Sequence, residues 1–361
     1  MGVLEKARML SDAGKYDSCG PAVCDVDLQN DLGGVITAKA EHAHCRMFKT
    51  LMTNACSHDC TYCTNRAGCN KRKTMYEPQE LARLFSFLRQ KHRVNGLFLS
   101  SGVAGDADKT TEKMLEAARM IRHKQRFRGF LHFKVLPGVS KELVKQASEV
   151  ADRMSVNIEA PNKQVLSDLS SNKDFKHDIL RRQLWIKKVS KMNNQTTQVI
   201  INDMASDKDV LRMMRSEYEH MGLRRVYYSA FTPVRGTPLE RARRTPKWRE
   251  RRLYNLDFLR RSYGFGYKEL EGALDDQDML TREDPKLIMA RERYHDGPVD
   301  VNEAPYEELL RIPGIGPTTA RRLASQKVSS YKGLRGLGAN VDAARPFISL
   351  NGKRQTTIPS F

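Results

Sequence analysis

Six short apolar runs, each separated from the next by a stretch of helical periodicity, restrict this chain more than any other feature. They cover residues 48–53, 96–100 (GLFLS), 129–136 (GFLHFKVL), 154–159 (MSVNIE), 197–202 (TQVIIN) and 225–231 (RVYYSAF). Between the first two, Leu81, Leu84, Phe85 and Leu88 recur at helical spacing behind Pro78. Further helices are expected over 111–123, over 140–151 with Ser140 as its cap, near 178–191, and over 208–221. Strands that alternate with helices read as a parallel sheet. A right-handed series of this length curls toward a barrel, and an open doubly wound sheet fits the alternation almost as well. In both, chemistry collects in the loops at the carboxyl ends of the strands.

The first such loop, residues 53–66, reads TNACSHDCTYCTNR. Cys56, Cys60 and Cys63 stand at C-x3-C-x2-C spacing, close enough to face one metal centre from one loop. A structural zinc takes four ligands, as do most iron–sulfur clusters. Three cysteines on a four-iron cluster leave one iron open to a substrate or cofactor. A zinc site completed by Cys69, His58 or a distant ligand also fits the spacing. After the second run come Ser100, Ser101 and Gly102, and in the fourth Ser155, Asn157 and Glu159 alternate. Period two is expected to put these three polar side chains on one strand face, where they need partners.

The chain has 361 residues, room for two domains, and carries 62 Lys and Arg against 43 Asp and Glu, a net charge of +19. That excess suggests a polyanionic partner, nucleic acid before membrane. No apolar run reaches the roughly 18–20 residues that span a bilayer, and residues 1–12 lack the apolar core of a secretory signal. The seven cysteines are odd in number and clustered, which argues against a disulfide framework and for a reducing, cytoplasmic setting. Residues 1–45 are expected to form a short helix over 3–13 and then an irregular cover, in which Cys19, Cys24 and Cys45 lack metal-ligand spacing.

Beyond Pro233 the composition shifts. Residues 239–252 (LERARRTPKWRERR) are dense in arginine, with Trp248 and Tyr254 interleaved, which suits a phosphate backbone with stacked bases as well as a solvated helical face. Residues 299–327 read VDVNEAPYEELLRIPGIGPTTARRLASQK. Asn302 is expected to cap a helix with Pro305 in its first turn. Gly314 and Gly316 allow a tight turn, after which a second helix starts at Thr318 with its amide N–H groups outward, an anion site. Arg321, Arg322 and Lys327 add charge that binds phosphates without reading bases. This stretch resembles the helix-hairpin-helix DNA-binding motif, and residues 331–347 look like a degenerate second hairpin.

Taken together the motifs resemble one family, the radical SAM proteins described as acting in DNA modification or repair, often linked to a uracil-DNA-glycosylase-like partner. The likeness is carried by GKYDSC at 14–19, the cysteine loop with Asn65-Arg66, GLFLSSGV at 96–103, DRMSVNIE at 152–159, RVYYSAF, RLYNLDFLRRSYGF at 252–265 and the Pro-Gly-Ile-Gly turn. It implies an α/β fold: a partial (β/α)6 radical SAM barrel over 46–275 behind the cover of 1–45, then a small all-α helix-hairpin-helix domain over 276–361. It implies a [4Fe–4S] cluster on Cys56, Cys60 and Cys63 whose open iron binds S-adenosylmethionine, with Tyr62 as the aromatic residue before the third cysteine. Ser100, Ser101 and Gly102 stand where the superfamily has a Gly-Gly-Glu-like segment for the methionine amino group, and the glutamate is missing. Ser155, Asn157 and Glu159 are implied for the ribose, and Tyr228 for adenine or substrate. The implied chemistry is reductive cleavage to a 5′-deoxyadenosyl radical acting on DNA, with electrons from a donor such as flavodoxin or ferredoxin. The alternatives are an RNA- or tRNA-modifying radical SAM enzyme and a non-catalytic DNA-binding metalloprotein. Two departures touch the pocket: residues 187–198 are short against the family, and the fifth strand runs into Ile201-Asn202-Asp203 without the usual glycine turn.

Overall fold

The structure, a computed structural model, describes residues 1–17, 34–40, 43–92, 94–190 and 194–352. Cys19, Cys24 and the tail from 353 on lie outside the described residues. The chain divides into two compact units, Met1–Ala205 with Arg212–Thr245, and Ser206–Leu211 with Pro246–Phe361. Among the described residues no helix is long and apolar enough to cross a membrane.

The first unit opens with α1 (Val3–Ala13), β1 (Val35–Ala40) and β2 (Ala43–Leu51). The repeating part follows: α2 (Pro78–His92), β3 (Gly96–Ser100), α3 (Ala107–Arg119), β4 (Phe130–Lys134), α4 (Lys141–Val150), β5 (Arg153–Ser155), α5 (Lys163–Leu169), α6 (Arg181–Val189), β6 (Gln195–Ile201), α7 (Asp207–Glu219), whose start through Leu211 belongs to the second unit, and β7 (Arg225–Ala230). Short π-helical turns extend α3 at its end and precede α6. Side-chain caps start several helices: Asp106 accepts from the Lys109 N–H ahead of α3, and Asn162 from the Val165 N–H ahead of α5. Ser140 does not act as the expected cap; its own N–H donates to Asp108 Oδ1 at 2.7 Å.

Strands β2 to β7 pair in parallel in sequence order, and β1 adds an antiparallel edge, Val35 opposite Phe48. The result is an α/β fold whose seven-stranded sheet curls into a half-barrel. The edge hairpin corrects the expected irregular cover over 1–45, since β1 and the first three residues of β2 fall inside it. Strand alternation gives the sheet a mainly apolar face and a face rich in polar side chains, the latter also holding Phe98 and Tyr227. Leu97, Leu99, Leu131, Phe133, Met154, Val199 and Val226 lie on one face, all buried. The other face carries Lys49, Ser100, His132, Lys134, Ser155 and Gln198, also buried. Helix α2 buries Leu81, Leu84, Phe85 and Leu88, the periodic apolar set that marks it in the sequence.

The second unit contains α8 (Lys247–Tyr263), α9 (Tyr267–Glu271), α10 (Pro285–Arg293), β8 (Val299–Asp300), α11 (Tyr306–Leu309), α12 (Pro317–Ser325), α13 (Tyr331–Gly336), α14 (Val341–Ala344) and β9 (Ile348–Ser349). It is not all-α, because β8 and β9 form a small parallel pair. Its core is Leu309, Leu310, Ile312, Ile315, Leu323, Leu334 and their neighbours. Asn302 does not cap α11. Its amide instead clips the chain just after α12, donating to the Val328 carbonyl at 2.9 Å and accepting from the Val328 N–H at 2.8 Å.

Part of the arginine-rich run is structural rather than solvated. Arg249 is 2% exposed, and its Nε donates to Asp207 Oδ1 at 2.8 Å, while the Leu280 N–H takes Asp207 Oδ2 at 2.8 Å. Burial pushes the Asp207 carboxyl up, and Arg249 and that N–H act against it. Arg252 donates to the Arg282 carbonyl, with Nε at 2.9 Å. Removing one partner of a buried pair leaves a bare charge and costs about 3–5 kcal/mol. Arg249→Ala is therefore expected to lower the stability of the second unit by that amount in chemical denaturation. A change below about 1 kcal/mol, the range of a surface pair, would contradict the structural role.

Candidate functional site

The cysteine loop leaves β2 and is closed at its neck by a short antiparallel contact between Thr53 and Met75. Asn54, 4% exposed, holds the neck with both ends of its amide: Nδ2 donates to the Arg72 carbonyl at 2.9 Å and Oδ1 accepts from the Thr74 N–H at 2.7 Å. Lys73 Nζ bridges the carbonyls of Asn54 at 3.3 Å and Asn65 at 3.1 Å. Inside the loop the Cys63 N–H donates to the Cys60 carbonyl at 3.1 Å, and the Asn65 N–H donates to Cys63 Sγ at 3.3 Å.

Two neighbouring segments seat this loop. After β3, the Gly102 N–H donates to the Thr53 carbonyl at 2.8 Å and the Ser57 N–H to the Val103 carbonyl at 2.7 Å. A Cβ on Gly102 would lie 2.3 Å from the Ala55 carbonyl oxygen and 3.2 Å from Cys56 Cβ, so only glycine lets the two backbones meet. After α5, residues 169–173 form a buttress. The Leu169 carbonyl accepts from the Thr61 N–H at 2.8 Å, and Asn172 Nδ2 donates to the Ser57 carbonyl at 3.1 Å. Asp59 accepts from Ser170 Oγ at 2.6 Å and the Ser171 N–H at 3.1 Å. Burial pushes its carboxyl up, but these donors outweigh that and hold it at about 2.

The three thiols share one electrostatic neighbourhood. Burial pushes the Cys63 thiol up to about 12, with Cys60 and Cys56 adding to the shift. Two further side chains lie close to Cys60, those of Tyr62 and Lys173, and Glu159 lies near both. No motif marks Lys173 in the sequence, where it stands far along the chain from the cysteines. His58 turns its Nδ1 to Asn172 Oδ1 at 3.1 Å. Among the described residues no group of three or more His, Cys, Asp and Glu side chains is gathered as a metal site. The donor set nonetheless suits a cluster held by thiolates. An amide N–H already points at Cys63 sulfur, a lysine and a phenol lie close to Cys60, and a glycine clears the approach to Cys56.

The remaining predicted residues divide. Ser101 Oγ is buried with no protein partner, beside the loop. Ser100 lies beside the Asp17 carboxylate. Strand β5 ends at Ser155, which bonds His132 Nε2 at 2.7 Å, so the expected strand face over Ser155, Asn157 and Glu159 is broken. Asn157 follows in irregular chain and contacts Lys134 and Asp17. Glu159 has φ +63 and a bridge to Val199, a left-handed backbone uncommon for glutamate and a mark of functional loops. Tyr228 is 1% exposed and, by alternation, lies on the opposite sheet face from Ser229, whose hydroxyl accepts from Gln198 Nε2 at 2.9 Å. It therefore packs away from the polar face instead of approaching a ligand there.

In the second unit two glycine turns pack against each other. Gly314 has φ +79, its carbonyl accepts from the Asn340 N–H at 2.9 Å, and a Cβ there would lie 2.1 Å from the Asn340 carbonyl oxygen. Gly338, φ +96, begins the matching turn between α13 and α14. Gly316 caps α12. Thr318 and Arg321 are exposed. Arg322 Nη1 donates to the Leu337 carbonyl at 3.0 Å, and Lys327 pairs with Glu303 at 2.8 Å in full solvent.

The Radical SAM superfamily model matches residues 50–215. No curated protein matches the chain. Among solved structures it is similar to methylornithine synthase (PylB), at TM-score 0.47 and 15% identity over 55% of this chain and 57% of that one. It is similar to the FeFe-hydrogenase maturase HydG from Carboxydothermus hydrogenoformans, at TM-score 0.48 and 12% identity over 57% of this chain and 49% of that one. It is also similar to Streptococcus suis SuiB bound to S-adenosylmethionine, at TM-score 0.47 and 10% identity over 59% and 47%. The chain thus spans about half the length of these proteins.

Gly102→Ala is expected to push the loop off its seat, an overpacking cost of about 1–3 kcal/mol, and to lower iron and sulfide content after anaerobic reconstitution. Full iron loading in that variant would show that the close approach is not needed. The cysteine loop, its seat and the matched segment lead to one assignment: residues 50–215 form a radical SAM domain, of a superfamily of enzymes that work with a [4Fe–4S] cluster and S-adenosylmethionine.

Proposed function

We propose that the chain is a radical SAM enzyme acting on DNA, in modification or repair. Cys56, Cys60 and Cys63 would hold the cluster. Ser101, the Gly102 backbone, Glu159 and Lys173 would meet the polar ends of S-adenosylmethionine, and Tyr62 would shield the third ligand. When bound, the cofactor pair supplies one-electron cleavage of the sulfonium and a hydrogen-abstracting adenosyl radical. The chain's own part is to orient the cofactor, exclude water and fix the hydrogen to be taken. A flavodoxin or ferredoxin would supply the electron, and a uracil-DNA-glycosylase-like protein is the further partner.

The observation that most supports DNA is the pair of back-to-back glycine turns at Gly314 and Gly338, read as two helix-hairpin-helix elements. The first helical turn of α12 has N–H groups without intrahelical acceptors, which suit a phosphate. Thr318 and Arg321 stand exposed beside it, and the net charge of +19 favours any phosphate backbone. Lys327 adds to this only after leaving Glu303. A duplex base is buried in its stack, so reaction at a base needs flipping or a single strand.

Two measurements test this. Arg321→Glu is expected to weaken duplex binding about tenfold, and to lower the salt slope by about one, with iron content unchanged. Nucleoside mass spectrometry of DNA and RNA, each incubated anaerobically with reduced protein and S-adenosylmethionine, is expected to find a changed nucleoside in DNA. Change confined to RNA would overturn the DNA reading.

A further inference from the structure

The polar face of the half-barrel holds more charge than packing requires. Lys49 on β2 and Lys134 on β4 are 3% and 7% exposed. A buried ammonium costs several kcal/mol unless paired. Among the described residues the ion pair that these two lysines make is Lys134 Nζ to Asp17 Oδ1, at 3.6 Å. Asp17 comes from outside the sheet, on the turn after α1.

The donors around that carboxylate form an array. Asn157 Nδ2 donates to Asp17 Oδ1 at 3.4 Å, and Ser100 lies beside the carboxylate. Lys134 Nζ also donates to Asn157 Oδ1, fixing the amide so that its N–H faces Asp17. Lys49 Nζ donates to the main-chain carbonyls of Asp17 and, at 3.2 Å, Lys15. The Lys134 ammonium and the Asn157 amide thus meet the Asp17 carboxylate, the Lys49 ammonium holds the main chain beside it, and Ser100 on β3 lies close by. Charge-assisted bonds of this kind are how proteins hold oxyanions.

The cradle's residues stand on or beside adjacent, hydrogen-bonded strands. The occupant comes from a turn outside the sheet, residues 14–17, in which Tyr16 is 53% exposed and Gln198 Nε2 donates to the Tyr16 carbonyl at 3.0 Å.

We propose that Lys49, Ser100, Lys134 and Asn157 form an oxyanion-binding site for a group of the substrate, and that Asp17 fills it as an internal stand-in until the substrate arrives. A phosphate and a carboxylate share the required chemistry. The inference goes beyond the DNA reading and does not depend on it.

The test is calorimetric titration of inorganic phosphate, and separately acetate, into the anaerobically reconstituted full chain saturated with S-adenosylmethionine. Asp17→Ala is expected to tighten anion binding about tenfold or more, the worth of one charged hydrogen bond. Adding Lys134→Met to that variant is expected to abolish the gain. Phosphate binding tighter than acetate assigns the site to a phosphate group, and the reverse to a carboxylate. Three results would overturn the proposal. One is equal anion binding with and without Asp17. Another is release of S-adenosylmethionine by phosphate, which would give the cradle to the cofactor. The third is loss of folding in both Asp17→Ala and Asp17→Asn, which would make Asp17 structural.

Discussion

The amide of Asn54 is the interaction on which the candidate centre depends. A loop that leaves a strand at Leu51 and returns only at α2 is long and would cost considerable entropy to hold in one shape. Asn54 closes it by bonding the carbonyl of Arg72 and the N–H of Thr74 from a buried position. With the neck shut, the cysteines hang from a ring of chain instead of a tether. Gly102 on one side and the Leu169–Lys173 segment on the other then fix where that ring sits. Each contact is a main-chain or short polar bond of ordinary strength, and their number on one loop gives it a defined form.

The sheet behind the loop has two characters, and the difference explains its use. One face is apolar and takes the helices, which is where the driving force for folding lies. The other is lined with lysine, histidine, serine and glutamine, residues that return little when buried. A chain selected for stability alone would fill that face with aliphatic side chains. Departures from local packing rules concentrate where a protein handles a ligand, and here they lie at the carboxyl ends of parallel strands, beside the loop.

Much of this was legible in advance where the signal was local. The six parallel strands announce themselves as short apolar runs between helical stretches, and the three cysteines announce themselves by spacing. Their ends were less legible: β5 stops at Ser155 because the chain turns toward the left-handed Glu159, which alternation cannot foresee. Strand β1 escaped notice because its pairing with β2, rather than its composition, makes it a strand. Lys173 meets Cys60 only through the fold, so no spacing rule reaches it. Arg249 misled for the opposite reason. It sits in a basic run that looks solvated, while its partner Asp207 lies far back along the chain. Tyr228 shows the limit of a strand reading that fixes alternation but not which face is apolar.

The central claim is that the thiols of Cys56, Cys60 and Cys63 carry a cluster with one iron open to S-adenosylmethionine. The direct measurement is anaerobic reconstitution, reduction with dithionite in the presence of S-adenosylmethionine, and chromatography for 5′-deoxyadenosine. The account predicts that 5′-deoxyadenosine and methionine form, and that both vanish in Cys60→Ala. A protein that instead retains zinc on these cysteines and releases no 5′-deoxyadenosine would contradict it.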